Sequence, residues 1–109
     1  MKQGAEYLIQ KDAVTWFKYQ YPHYVIFSVP NEATYRNKTY FSGLGVMTGV
    51  SDVIVLLPNK PLFIEFKSKT GRQSVEQKAF QQKIEGLGYK YQLVRSVDDF
   101  IRYIRSELQ

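Results

Sequence analysis

Residues 52–67, DVIVLLPNKPLFIEFK, do most to constrain what this chain can fold into. Two β-prone apolar segments flank a turn that carries two prolines, which is the pattern of a β-hairpin. The first segment, DVIVLL (52–57), is a near-continuous aliphatic run, as expected of a strand covered on both faces. The second, LFIEFK (62–67), is equally apolar but sets Glu65 and Lys67 two residues apart in mid-strand. On a solvated face such a pair is routine. In a strand covered on both sides it is costly unless the charges have chemistry to perform.

The flanking segments supply the rest of a layered α/β domain. Over residues 5–20, Ala5, Ile9, Ala13, Trp16 and Phe17 recur at helical spacing, and Pro22 ends the pattern. VIFSV (25–29) reads as a short strand stopped by Pro30, and 31–50 as an irregular connection punctuated by glycines. Ser74 opens a helix reaching about Glu85, with Gly86 and Gly88 beyond it. YKYQLVR (89–95) reads as a further strand. Ser96 then caps a last helix with Asp98 and Asp99 in its first turn, running to about Leu108. The order is α-β-β-β-α-β-α without repeat or linker, which predicts a single α/β domain with a mixed central sheet flanked by helices.

Composition narrows the function. A chain of 109 residues is long enough to bury a core, and its net charge of +5 with pI near 9.4 points to a polyanionic partner, nucleic acid before membrane. With no cysteine there is neither a disulfide framework nor a thiolate nucleophile or metal ligand. No apolar run has the length of a membrane span and MKQGAEYLIQKD has no signal-peptide core, so an intracellular, cytoplasmic protein is expected.

Closing the hairpin symmetrically at PNKP pairs Leu57 with Leu62, Ile54 with Glu65 and Asp52 with Lys67. Asp52, Glu65 and Lys67 then share one face, with Glu65 diagonal to Asp52 at a Cβ separation of roughly 7–8 Å. Two carboxylates so placed can converge on a hard cation such as Mg²⁺, with the Phe66 backbone carbonyl as a further ligand. Lys67 would sit beside a water or a phosphate oxygen. Glu6 falls within the helical arc of Ile9, Ala13 and Phe17, and so tends inward as a third carboxylate. Such a set on a basic domain suggests metal-assisted cleavage of a phosphodiester. Each piece also has a plainer reading: a solvated strand face, a strand start at Asp52, a helix-edge Glu6, and a capping box in Ser74-x-x-Gln77. Arg36, Lys38, Lys69, Arg72, Lys78 and Lys83 cluster in the loops and helix beside this site, as phosphate contacts or as solvated charges. Tyr35, Tyr40 and Phe41 are available for base stacking, for core packing or for a dimer contact. His23 carries no role.

Taken together, GVSD (49–52), EFK (65–67), SVEQKAF (74–80) and GLGYKYQLVRSVDD (86–99) resemble the VRR-NUC domain of the PD-(D/E)xK nuclease superfamily, as does PNE (30–32). The resemblance implies a restriction-endonuclease-like domain. It implies Asp52 and Glu65 as metal-binding carboxylates, Lys67 as the catalytic lysine, Gln77 as a supporting glutamine and Glu6 as the acidic residue of the first helix. It also implies Mg²⁺ or Mn²⁺ as cofactor and DNA as substrate, including branched and flapped forms. Stand-alone members of this size resemble phage or bacterial homodimers of the Holliday junction resolvase kind. Ser51 departs from the superfamily pattern, which has proline there; the change touches backbone shape and not chemistry. Asn31 and Glu32 match the family segment with no defined role.

The expectation is therefore a divalent-metal-dependent endonuclease acting on branched DNA, in which Lys67 positions or deprotonates water or stabilises transition-state charge. Gln77 would orient Lys67 or the water. The alternatives are a DNA-junction-binding or dimerisation module without catalysis, and a nuclease for linear duplex or RNA.

Overall fold

The computed structural model describes residues 4–30 and 38–109; Asn31, Glu32, Tyr35 and Arg36, and the side chains of Lys38 and Phe41, for which the sequence raises expectations, lie outside the described residues. Helix α1 (Gly4–Gln20) leads to strand β1 (Val25–Ser28), and a six-residue helix α2 (Lys38–Gly43) follows. Then come the hairpin β2 (Val53–Leu57) and β3 (Lys60–Phe66), helix α3 (Val75–Gly86), strand β4 (Lys90–Val94) and helix α4 (Val97–Glu107). The order anticipated from sequence is present, with α2 added in a segment read as irregular.

The sheet runs β1-β2-β3-β4, antiparallel through the hairpin and parallel between β3 and β4. One face is closed by α1 and α4. Ile26, Val53, Val55, Leu57, Leu62, Ile64, Phe66 and Val94 pack there with Ala13, Phe17, Phe100 and Ile104. Aromatic edges knit the two helices to the sheet: Phe100 lies 5.8 Å from Phe66, 6.1 Å from Trp16 and 6.4 Å from Phe17, ring centre to ring centre. Both long C-terminal-half helices start on serine caps. Ser74 accepts from the Gln77 N–H and Ser96 from the Asp99 N–H. The far end of α4 is tied back by Glu107, which pairs with Lys60 at 3.2 Å and Lys90 at 3.1 Å. Burial alone would raise the Glu107 pKa, but the hydrogen bonds from Lys90 and Lys60 outweigh it and hold the carboxyl below its usual range.

The opposite face is covered only in part. Phe80 of α3 sits 5.9 Å from Phe63 and 6.3 Å from Tyr91, closing β3 and β4. It does not reach β1 and β2, which corrects the expectation that β2 is buried on both sides. Val53, Val55 and Leu57 are buried, whereas Ile54 is half-buried and Leu56 exposed. The strand that is covered on both sides is β3, where Ile64, Glu65 and Phe66 are consecutive and all fully buried.

The hairpin register also differs from the symmetric closure. The turn is Pro58-Asn59 alone, and the ladder pairs Leu57 with Lys60, Val55 with Leu62 and Val53 with Ile64. Proline fixes φ near −65° at the first turn position, and Asn59 takes φ 56° at the second, the φ signs of a type II turn. Continued by one step, this register sets Asp52 opposite Glu65, not opposite Lys67. The slip is two residues. Side-chain direction alternates with period two, so Asp52, Glu65 and Lys67 remain on one face.

Candidate active site

Glu65 is held in place by groups that all favour its buried carboxylate. The Gln77 side chain donates to Oε2 at 2.7 Å, and the Lys67 ammonium lies 3.8 Å from the same oxygen. The Tyr91 hydroxyl approaches Oε1 at 3.5 Å. Burial, then the Glu65 charge, raise the Tyr91 pKa well above that of an ordinary phenol, against an opposing hydrogen bond from Gln73. Tyr91 therefore stays a protonated donor toward Glu65 at any working pH.

Asp52 is fixed from both sides. Its carbonyl accepts from the Val29 N–H at 2.9 Å, and its Oδ2 accepts from the Phe66 N–H at 2.7 Å. The preceding segment packs tightly: at Gly49, φ +77°, an added Cβ would meet the Glu76 carbonyl oxygen at 2.4 Å. Only glycine lets this loop press against the first turn of α3, and the contact brings Asp52 beside Gln77. Ser51, in the position of the superfamily's proline, is fully buried and its hydroxyl donates to the Val53 carbonyl at 3.4 Å.

The capping box explains why Gln77 can serve the sheet. Its Oε1 accepts from the Ser74 N–H at 2.8 Å while its amide nitrogen reaches Glu65. One side chain therefore both starts α3 and orients a carboxylate on β3. The capping box expected from sequence is present, and the same side chain also bonds Glu65. Its described contact is with Glu65, where sequence reasoning had offered Lys67 or a water.

Glu6, Asp52, Glu65, Lys67 and Gln77 all line one groove of about 650 Å³ between α1 and β1. Glu6 joins it from the opposite layer. Its Oε2 accepts from the Ser68 N–H at 3.3 Å and would lie 2.9 Å from a Cβ placed on Gly71. Lys69, Arg72 and Lys78 are exposed and do not line this groove.

Two contributors were not singled out in the sequence. Tyr91 was legible in principle, since alternation along β4 puts it on the face of β3 that carries Phe63 and Glu65. Arg95 had no such signal. Its Nη1 donates to the carbonyls of Ser68 at 2.6 Å and Gly71 at 2.8 Å, pinning the loop that follows Lys67 and receives Glu6.

The donor set is all oxygen and suits a hard divalent cation. Among the described residues, no group of three or more His, Cys, Asp or Glu is gathered closely enough to hold an ion alone. Two carboxylates, with water and substrate oxygens completing the shell, is the arrangement Mg²⁺ commonly takes.

The comparisons agree with the fold. Two solved structures share the fold: a VRR-NUC domain protein at TM-score 0.73 and 22% identity, covering 97% of this chain and 89% of the other, and a VRR-NUC domain at TM-score 0.70 and 18% identity, covering 94% and 97%. Among curated proteins nothing matches. No helix of the described residues is long and apolar enough to cross a membrane. The profile of the VRR-NUC domain matches residues 5–98, nearly the whole length, and the chain belongs to that family of nuclease domains.

Proposed function

We propose that this chain is a divalent-metal-dependent endonuclease that hydrolyses DNA phosphodiester bonds, acting on branched DNA such as Holliday junctions as a homodimer. The observation that carries the reading is Glu65. A carboxylate with no exposed surface, opposite a second carboxylate and beside a lysine, is an expensive arrangement that a merely structural strand has no use for.

Asp52 and Glu65 are the residues that would hold Mg²⁺ or Mn²⁺, with the Phe66 carbonyl and Glu6 as further oxygen donors. A divalent ion there would supply Lewis-acid polarisation of the scissile phosphate and a more acidic water. Gln77 and Tyr91 fix the Glu65 carboxylate so that it need not reorganise during the reaction. Lys67, projecting from the same face, orients the attacking water through its N–H donors and offsets charge gathering on the phosphate. Arg95 acts through the backbone, holding the loop at Ser68 that seats Glu6.

Metal binding at this site has a direct test. Thermal unfolding with Mg²⁺ or Mn²⁺ in hundredfold excess over Kd should show wild type stabilised by about 2.7 kcal/mol, and Asp52→Ala should show no such gain. An equal gain in both proteins would remove Asp52 from the metal site.

The proposal of a homodimer is supported by the uncovered sheet face, where Val25, Phe27 and Leu56 are each exposed by 40% or more. Their register places Val25 beside Leu56, and Phe27 beside the half-buried Ile54, in one apolar strip. Light scattering should return a mass of two chains for wild type and one chain for Leu56→Lys. A wild-type monomer at micromolar concentration would contradict it.

A further inference from the structure

The groove that holds the carboxylates does not end at them. It continues along α1, lined by Tyr7, Gln10, Lys11, Val14, Thr15 and Lys18, with β1 from Ile26 to Pro30 as its other wall. Gln10 and Val14 are half-buried and form its floor, whereas Lys11, Thr15 and Lys18 are exposed along its rim. Lys11 and Lys18 are seven residues apart, so they lie within about 20° of each other around the helix. They are separated by about 10 Å along its axis. The charges are thus sorted along the groove: carboxylates at one end, where a cation is needed, and two ammonium groups on one stripe beyond them.

From this placement we infer that the α1 wall is a strand-binding track, in which Lys11 and Lys18 hold two phosphates about three nucleotides apart on the DNA strand whose scissile bond lies at Asp52 and Glu65. The inference rests on the nuclease reading for the identity of the strand. The spacing fits it. Measured from Glu6, Lys11 and Lys18 lie about 7.5 Å and about 18 Å along the helix. With about 3.4 Å of axis per phosphate on one B-form strand, these distances correspond to about two and about five nucleotides from the cut. The floor supplies a second observation: among the described residues the buried Oε1 of Gln10 has no hydrogen-bond partner, so this part of the groove carries hydrogen-bonding capacity that the fold does not use. Tyr7, exposed by 55% at the carboxylate end, offers a ring on which a base can stack. This track is separate from the basic residues of the 67–73 loop.

The test is fluorescence anisotropy of end-labelled duplex and four-way junction in EDTA, which permits binding without cutting, over a salt series. Each phosphate contact contributes about 0.9 to the slope of log K against log salt on duplex, and about 0.7 on single strands. Lys11→Gln/Lys18→Gln should therefore lower the slope by about 1.4–1.8. If the affinities of variant and wild type converge near 1 M salt, the loss at 0.1 M is about 25- to 60-fold. The charge-matched control Arg102→Gln/Arg105→Gln, on α4 away from the groove, should leave the slope unchanged. An unchanged slope in the Lys11/Lys18 variant, or an equal fall in the control, would overturn the track. If wild type cuts DNA while the Lys11/Lys18 variant keeps the wild-type slope, the track fails and the nuclease reading stands. If wild type binds with the predicted lysine dependence but cuts nothing in any metal, the track stands and the nuclease reading fails. Both pairs of lysine and arginine side chains are exposed, so the variants should fold as wild type does.

Discussion

Lys67→Ala is expected to lower the rate of metal-dependent DNA cleavage by about 10²–10⁴-fold, the range for loss of a positioned proton-transfer or charge-stabilising group. The same variant should keep the stabilisation that Mg²⁺ or Mn²⁺ confers. The two outcomes separate because the lysine and the carboxylates have different tasks. Asp52 and Glu65 provide the oxygens that would bind the ion, whereas Lys67 stands 3.8 Å from Glu65 and supplies only a cation and its donors. Lys67→Arg should not restore the rate, since a guanidinium is larger and directs its donors in a planar fork instead of from a compact ammonium. Single-turnover cleavage and thermal unfolding in parallel measure both quantities. A rate within about threefold of wild type would take Lys67 out of the chemistry.

Glu65→Gln is expected to abolish cleavage and at the same time stabilise the metal-free protein, because it removes a buried charge that sits opposite the like charge of Asp52. Glu65 has no exposed surface, so folding removes its charge from water. Gln77, Tyr91 and Lys67 compensate that charge, but without a cation the Asp52 carboxylate opposite it works against them. Glutamine keeps the shape and can still accept from the Gln77 amide, while its own amide faces the Tyr91 hydroxyl. Lys67 is left without a close anion, but its long side chain lies near the groove surface, where the ammonium can reach water. In excess divalent ion the order should invert: wild type gains from binding and the variant does not. A fall in metal-free stability would show that the carboxylate serves the fold, and would weaken the case that it is kept for chemistry.

Much of this was legible in the primary structure for identifiable reasons. Aliphatic runs, glycines after helices and the Ser74 and Ser96 caps mark the elements, because each reports a local backbone preference. The shared face of Asp52, Glu65 and Lys67 survived an error in register, because any even slip preserves side-chain direction. The register itself was not legible. PNKP offers several closures, and the selected one depends on Asn59 accepting a left-handed conformation that few other residues tolerate. The burial of β2 was misjudged because an apolar run shows that a face can be covered, not that a helix reaches it. Helix α3 stops over β3 and β4, and Leu56 is left exposed. The link from Gln77 to Glu65 was hidden behind the capping box, since one amide satisfies both ends. Arg95 acts on backbone carbonyls 24 and 27 residues earlier in the chain, and carbonyls carry no sequence signature.

The most direct test of the central claim is cleavage of labelled four-way junction, 5′ flap and linear duplex of matched sequence, by wild type and Lys67→Ala, with Mg²⁺, Mn²⁺ or EDTA. The account predicts metal-dependent cutting by wild type, strongest on the junction, none in EDTA and a loss of about 10²-fold or more with Lys67→Ala. Tight binding of the junction with no cutting in either metal would contradict it and leave the buried Glu65 and its neighbours without a reaction to perform.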